Sequence, residues 1–264
     1  MSYRTSIEWT DSTWNPILGC SKVSSGCKNC YAETFTNRFI GVKGHPFEQG
    51  FQIRLRPDKI NEPRSWKPPR KIFTCSMSDL FHEEVPFEFI EKVFDVMNAE
   101  RRHTFQILTK RVERLSELSA KLKWNSNIWI GVSVEDEANL FRIKYLQSVP
   151  AAVRFISFEP LLGPLPKMNL DGIDWAIVGG ESGVRARRME IEWVYGLRDQ
   201  CINQQIPFFF KQLGSKHGKK GGETAMLDGI LWHQFPTEKK ERLNSLSDEF
   251  GENHQCNQKP HSGL

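Results

Sequence analysis

The 264-residue chain has little that would anchor it in a membrane or staple it covalently. No run approaches the roughly 18 consecutive apolar residues of a membrane-spanning helix, and the opening run Met1-Ser-Tyr-Arg-Thr-Ser-Ile-Glu8 has no apolar signal core, so a cytoplasmic location is expected. Cysteines number only six. A chain of this length buries a core that needs no disulfides, and cytosolic thiols stay reduced. No second Cys pair or His pair follows the cysteine-rich run at finger-like spacing, which argues against a saturated structural zinc. Charge of one sign is not in excess either. A formal net charge of +4 permits a polyanionic partner without requiring one.

What is present is concentrated. Cys20, Cys27 and Cys30 fall in the run Gly19-Cys20-Ser-Lys-Val-Ser-Ser-Gly26-Cys27-Lys-Asn-Cys30-Tyr31-Ala32. Three closely spaced thiolates can ligate one metal centre, and an iron–sulfur cluster held by three leaves one iron open to a substrate or cofactor. Such a site is reactive rather than structural. Zinc bound by these thiolates, with His45 or another residue as fourth ligand, is the competing reading. Cys75 and Cys201 sit in apolar runs and read as core residues. Trp9, Trp14 and Trp66 read as packing residues, and His82 and His103 lack partner spacing.

From residue 71 a rhythm repeats. Lys71–Ser76, Thr104–Thr109, Ile128–Ser133, Val153–Ser157, Trp175–Gly179 and Pro207–Lys211 are short apolar runs that end abruptly in polar residues, as in parallel strands buried on both faces. Helical spacing fills Pro86–Met97, Lys110–Leu122, Glu135–Leu146 and Glu190–Gln204, whereas the stretch after Pro160 is too rich in Pro and Gly. With one more strand within Thr13–Leu18, the pattern predicts an α/β fold: a full or partial (β/α) TIM-like barrel of parallel strands, with a doubly wound open sheet as the alternative. Leu227–Phe235 reads as a short hairpin on an Asp-Gly turn. The division is therefore a barrel over 1–235 and a polar tail over 236–264, partly disordered. Cys256 lies in that tail and is not expected to be a ligand.

The strand ends carry long charged side chains: Lys110, Glu135, Glu159, Glu181 and Lys211. Helix capping explains Ser, Thr and Asp at such positions but has no need of these. At the C-terminal mouth of a barrel they are candidate catalytic residues. Basic concentrations at Arg54, Arg56, Lys59, Arg64, Lys67, Arg70 and Lys71, at Arg185, Arg187 and Arg188, and in the glycine-rich run Lys216–Gly222 read first as solvated faces.

A three-cysteine motif in the first loop of a parallel barrel resembles the radical S-adenosylmethionine superfamily. More narrowly, Ile7-Glu-Trp-Thr10, Thr13-Trp-Asn-Pro-Ile17, the cysteine run, Ser76-Met-Ser-Asp-Leu80, Leu108-Thr-Lys-Arg111, Gly131-Val-Ser-Val-Glu135, Phe158-Glu-Pro-Leu161 and Gly179-Gly-Glu-Ser182 together resemble a phage-associated family of three-Cys-motif proteins, over roughly residues 5–235. The resemblance implies a [4Fe–4S] cluster on Cys20, Cys27 and Cys30, with the open iron chelated by S-adenosylmethionine. Reductive cleavage of that sulfonium then gives a 5′-deoxyadenosyl radical. It further implies, by position, Ser76 and Asp79 on the methionyl amino group, Ser133 and Glu135 on ribose or the carboxylate, Lys110 neutralising that carboxylate, and Gly179 and Gly180 beside adenine or substrate. Two features depart from the superfamily. Six residues separate Cys20 from Cys27, and Asn29 stands where an aromatic usually precedes the last cysteine, which leaves Tyr31 as the stacking candidate. The expected partners are S-adenosylmethionine, a nucleic acid or nucleotide substrate, and a protein encoded nearby. The alternatives to a radical enzyme are a zinc-binding, non-catalytic phage accessory protein and a nucleic-acid-binding module that uses the basic segment 54–71.

Overall fold

The computed structural model describes residues 5–214 and 225–236. The run Lys216–Gly222 and the tail with Cys256 lie outside the described residues. In chain order the elements are β1 (Ser12–Trp14), β2 (Ile17–Leu18), α1 (Tyr31–Thr36), β3 (Arg54–Leu55), β4 (Lys71–Thr74), α2 (Phe87–Ala99), β5 (Thr104–Thr109), α3 (Val112–Ser119) and β6 (Ile128–Ser133). There follow α4 (Phe141–Gln147), β7 (Val153–Phe158), β8 (Trp175–Gly179), α5 (Ile191–Asn203), β9 (Phe208–Gln212), β10 (Met226–Leu227) and β11 (Ile230–Leu231).

Seven strands form one sheet in the order β1-β4-β5-β6-β7-β8-β9, each parallel to its neighbours. A doubly wound sheet reverses its strand order at a switch point; this one never does. β1 and β9 remain the two edges, so the fold is a partial barrel, curled and open on one side. Helices α2 to α5 occupy crossovers on its convex face, while the Pro- and Gly-rich crossover from β7 to β8 carries none.

Side chains alternate along each strand between two apolar layers. Ile72, Phe105, Ile107, Ile130, Ile156, Val178 and Phe208 join the helices in the larger core. Phe73, Phe155, Trp175, Ile177 and Phe209 face the concave side, where Trp9 packs among them and Phe235 lies against them. Trp9 stands 4.7 Å from Phe73 and 6.2 Å from Trp175, ring centre to ring centre, and Phe235 stands 5.3 Å from Trp175. These aromatics fill the N-terminal half of the concave face. Cys75, Cys201, Trp14 and Trp66 are buried in the larger core, as their apolar surroundings predict.

The differences from expectation have local causes. The strand expected within Thr13–Leu18 is broken at Asn15-Pro16 into β1 and β2; proline supplies no N–H, and Asn15 Oδ1 instead accepts from Met77 N at 3.1 Å. The helix expected from Glu135 begins with a 3-10 turn, Glu137–Asn139, before α4. Asp228 and Gly229, with φ of 53° and 75°, make the tight turn of the β10–β11 hairpin. Among the described residues no helix is long and apolar enough to cross a membrane.

Candidate functional site at the mouth of the half-barrel

Continuing the two-residue alternation past the strand ends puts Lys110, Ser133, Glu135, Ser157, Glu159, Gly179 and Lys211 on the concave side, above the aromatic layer. Two ion pairs bridge neighbouring strand ends there. Lys110 Nζ lies 3.3 Å from Glu135 Oε1, and Lys211 Nζ lies 2.5 Å from Glu159 Oε1. Burial of both Lys211 and Glu135 makes an unpaired charge costly at either position. Glu135 also accepts from Arg142 Nη1 at 2.8 Å, and Arg142 in turn donates to the Ser133 carbonyl at 2.8 Å.

The cysteine loop lies across this mouth and is tied to the ends of alternate strands. Ser24 Oγ donates to Glu135 Oε1 at 2.7 Å, and Ser25 Oγ to Asp136 Oδ2 at 2.5 Å, both beyond β6. Beyond β8, Asn29 Nδ2 donates to Glu181 Oε2 at 2.9 Å, while the Tyr31 hydroxyl donates to the Ser76 carbonyl beyond β4. Arg187 closes the clasp: its Nη2 reaches Glu181 Oε1 at 2.6 Å and its Nη1 reaches the Ser25 carbonyl at 2.9 Å. Burial alone would raise the Glu181 pKa, but the hydrogen bonds from Arg187 and Asn29 outweigh it and hold the carboxyl below its usual value. Gly26 is required by close approach, since a Cβ there would stand 2.4 Å from Glu135 Oε1.

Cys20 is held separately. Arg111, buried at the start of α3, donates from Nη1 to Cys20 Sγ at 3.6 Å and from Nη2 to Ser21 Oγ at 2.8 Å. On its other side its Nε meets Glu83 Oε2 at 2.9 Å and its Nη1 meets Asp79 Oδ2 at 3.3 Å. His82 Nε2 also reaches Ser21 Oγ, at 2.8 Å. His82 Nδ1 accepts from the Glu84 amide at 3.2 Å, so Nε2 carries the proton and Ser21 is not activated as a nucleophile. Burial, followed by the Asp79 charge, pushes the Cys20 thiol up to about 12. A cleft of about 600 Å³ opens beside Cys20 between Ser21, His82, Glu33 and residues 49–53.

The expected site residues therefore divide. Lys110, Glu135, Glu159 and Lys211 meet at the mouth as two pairs. Asp79 is turned inward: it accepts from Thr109 Oγ1 at 2.7 Å, the Phe81 amide at 3.0 Å, the Lys110 amide at 3.1 Å and Arg111. Ser76 Oγ donates to Asn15 Oδ1 at 3.2 Å. The space a side chain at Gly180 would need is filled by the Leu213 carbonyl, 2.0 Å from an added Cβ, and a Cβ on Gly179 would stand 3.1 Å from Glu159. Arg111, Arg142, Ser24 and Ser25 were not singled out from the sequence. For Arg111 the signal was at hand, since it closes the run Leu108-Thr-Lys-Arg111. Much of the basic segment is paired internally: Arg56 with Asp58, Lys59 with Glu62, and Arg70 over the Trp66 ring. His45 stacks on Phe39 at 3.9 Å, and its Nδ1 accepts from the Phe47 amide.

Among the described residues, no group of three or more His, Cys, Asp or Glu side chains is arranged to hold a single metal ion. In a cubane cluster each thiolate ligates a different iron, so the three sulfurs need not converge on one point. The donor set fits such a cluster: three partly accessible thiols lie on one clasped loop, while Cys75 and Cys201 are buried. A metal cation displaces the thiol proton on binding, even at a site with a raised pKa such as Cys20.

Residues 4–236 match the model of a family described as a protein of unknown function, DUF5131. The chain belongs to this family. No curated protein matches the chain. Among solved structures, the chain is similar to a spore photoproduct lyase double mutant with bound AdoMet and dinucleoside spore photoproduct, with a TM-score of 0.48 and 10% identity over 91% of this chain and 72% of that one.

Proposed function

We propose that this protein is a radical S-adenosylmethionine-type enzyme. The observation that carries the reading is the placement of Cys20, Cys27 and Cys30 on one loop clasped to the ends of β4, β6 and β8, over a mouth where Lys110 with Glu135 and Lys211 with Glu159 form complementary pairs. In a parallel barrel that end is where ligands and chemistry are found. Cys20, Cys27 and Cys30 would hold a [4Fe–4S] cluster. When bound, the reduced cluster would supply the electron that cleaves S-adenosylmethionine to a 5′-deoxyadenosyl radical.

The chain's own residues set the conditions for that chemistry. The aromatic layer of Trp9, Phe73, Phe155, Trp175 and Phe209 closes the barrel floor and keeps water from entering behind the site. Ser24, Ser25, Asn29 and Tyr31 fix the loop before anything binds, which lowers the ordering cost of binding. The two ion pairs have different surroundings. Glu135 is saturated by Lys110, Arg142 and Ser24, so it holds the loop. Lys211 is the single ion-pair partner of Glu159 among the described residues, so this pair has charge free to meet a group bound in the mouth. A zinc site closed by His45 is disfavoured by the stacking and hydrogen bonding of that ring.

The substrate class is a nucleic acid or nucleotide, on the strength of exposed Arg185 and of exposed Arg188, the latter paired with Glu190 at 3.1 Å, on the loop that bears the clasp. A phage setting and a neighbouring protein partner are part of the same reading. The test is anaerobic incubation of reconstituted protein with S-adenosylmethionine and dithionite. Release of 5′-deoxyadenosine that is lost when Cys27 is replaced by Ala supports the reading; iron-loaded protein that releases none contradicts it.

A further inference from the structure

Among the described residues, Arg111 is the one cation that hydrogen-bonds a cysteine of the loop. Its Nη1 lies 3.6 Å from Cys20 Sγ, inside hydrogen-bonding range for sulfur, and it is directed there from both sides. Glu83 takes Nε, Asp79 takes Nη1 from the barrel, and the Ser21 carbonyl and hydroxyl take Nη2. With only 4% exposure, the guanidinium has no alternative set of water partners. A planar fork is required for this set of contacts; a lysine could keep the charge but not span all the acceptors. Among the described residues no cation hydrogen-bonds Cys27 or Cys30: the contact to Cys27 comes from the neutral Ser24 hydroxyl at 3.8 Å, and exposed Lys22 acts on both cysteines through its charge alone. The loop is therefore asymmetric in its hydrogen bonds to sulfur.

Taking Cys20 as a cluster ligand, as the proposed function does, we infer that Arg111 is a positioning residue that raises the reduction potential of the bound cluster through its N–H···S bond to Cys20. Reduction adds negative charge to the cluster and its sulfurs. A buried cation donating to one sulfur stabilises the reduced state more than the oxidised one, and hydrogen bonds to the sulfurs are a recognised determinant of potential. Asp79 and Glu83 orient the guanidinium and offset its charge, so the effect rests on the directed N–H···S bond to Cys20.

The experiment uses the full chain reconstituted anaerobically with iron and sulfide, with iron and sulfide counted and the midpoint potential taken from a redox titration followed by electron paramagnetic resonance. Arg111→Gln should retain iron and shift the midpoint to more negative values with an altered spectrum, and Arg111→Lys should recover part of the shift. Because Arg111 also ties Ser21 and Asp79, Arg111→Gln could fail to fold. Arg111→Lys covers that case: it keeps the buried cation opposite Asp79 while losing the fork that reaches Cys20, and should give a smaller shift of the same sign. Loaded variants with the wild-type midpoint and spectrum overturn the inference while leaving the cluster in place. Wild-type protein that takes up no iron or sulfide overturns the proposed function, and this inference with it.

Discussion

At the scale of single residues, the site is built from side chains with few degrees of freedom left. Cys20, Cys27 and Cys30 are partly accessible, whereas Cys75 and Cys201 are sealed in the core. Replacing any one of the first three with Ala should abolish bound iron while leaving the thermal unfolding transition of the metal-free protein within a few degrees. Replacing Cys75 or Cys201 should leave iron per chain unchanged. Iron lost from a Cys201 variant would show that the ligands have been misassigned. Glu181 gives a pH prediction. Its folded pKa is depressed, so it stabilises the fold above its unfolded value near 4.5, and that contribution is lost as pH falls through the lower folded value. Between about pH 5 and about pH 3, wild-type protein should lose more stability than Glu181→Gln, as read by denaturant melts at each pH. Parallel curves would show that the clasp contributes nothing.

At the scale of elements, the strands were far more legible than the loop. Thr104–Thr109, Ile128–Ser133 and Trp175–Gly179 match their expected bounds, because a strand buried on both faces must be apolar throughout and must stop where polar residues begin. The two-residue alternation that sends Lys110, Glu135, Glu159 and Lys211 to one mouth follows from the same runs. The clasp was not legible. Ser24 with Glu135 and Asn29 with Glu181 are contacts between positions 111 and 152 residues apart, and short polar residues at those places read equally well as solvated loop. The helix α1 was also missed, since Tyr31–Thr36 is short and has no apolar stripe. Two glycines test element packing. Gly131→Ala on β6 would put a Cβ 2.4 Å from the Phe155 ring, and overpacking of this kind costs roughly 1–3 kcal/mol in denaturant unfolding. Gly26→Ala collides with Glu135 in the loop instead, so it should lower iron occupancy with little change in global stability. If the two variants behaved alike, the loop would not be separable from the barrel.

At the scale of the whole molecule, strand order, edge strands and layering divide the half-barrel into a floor and a mouth. The floor is aromatic and the mouth is polar, so the apolar packing and the proposed site lie at opposite ends of the same strands. Trp9→Ala removes the central side chain of the floor and should cost about 3–5 kcal/mol of unfolding free energy, yet the surviving folded protein should still bind iron. The resemblance to three-Cys-motif proteins rested on motifs spread along the chain, and these motifs fall mostly at the ends of strands in the sheet. The most direct test of the central claim is the iron, sulfide and zinc content of protein purified without oxygen, followed by electron paramagnetic resonance of the reduced sample with and without S-adenosylmethionine. The account predicts about four irons and four sulfides per chain and a spectrum that changes when S-adenosylmethionine is added. One zinc, no sulfide and an unresponsive sample would contradict it.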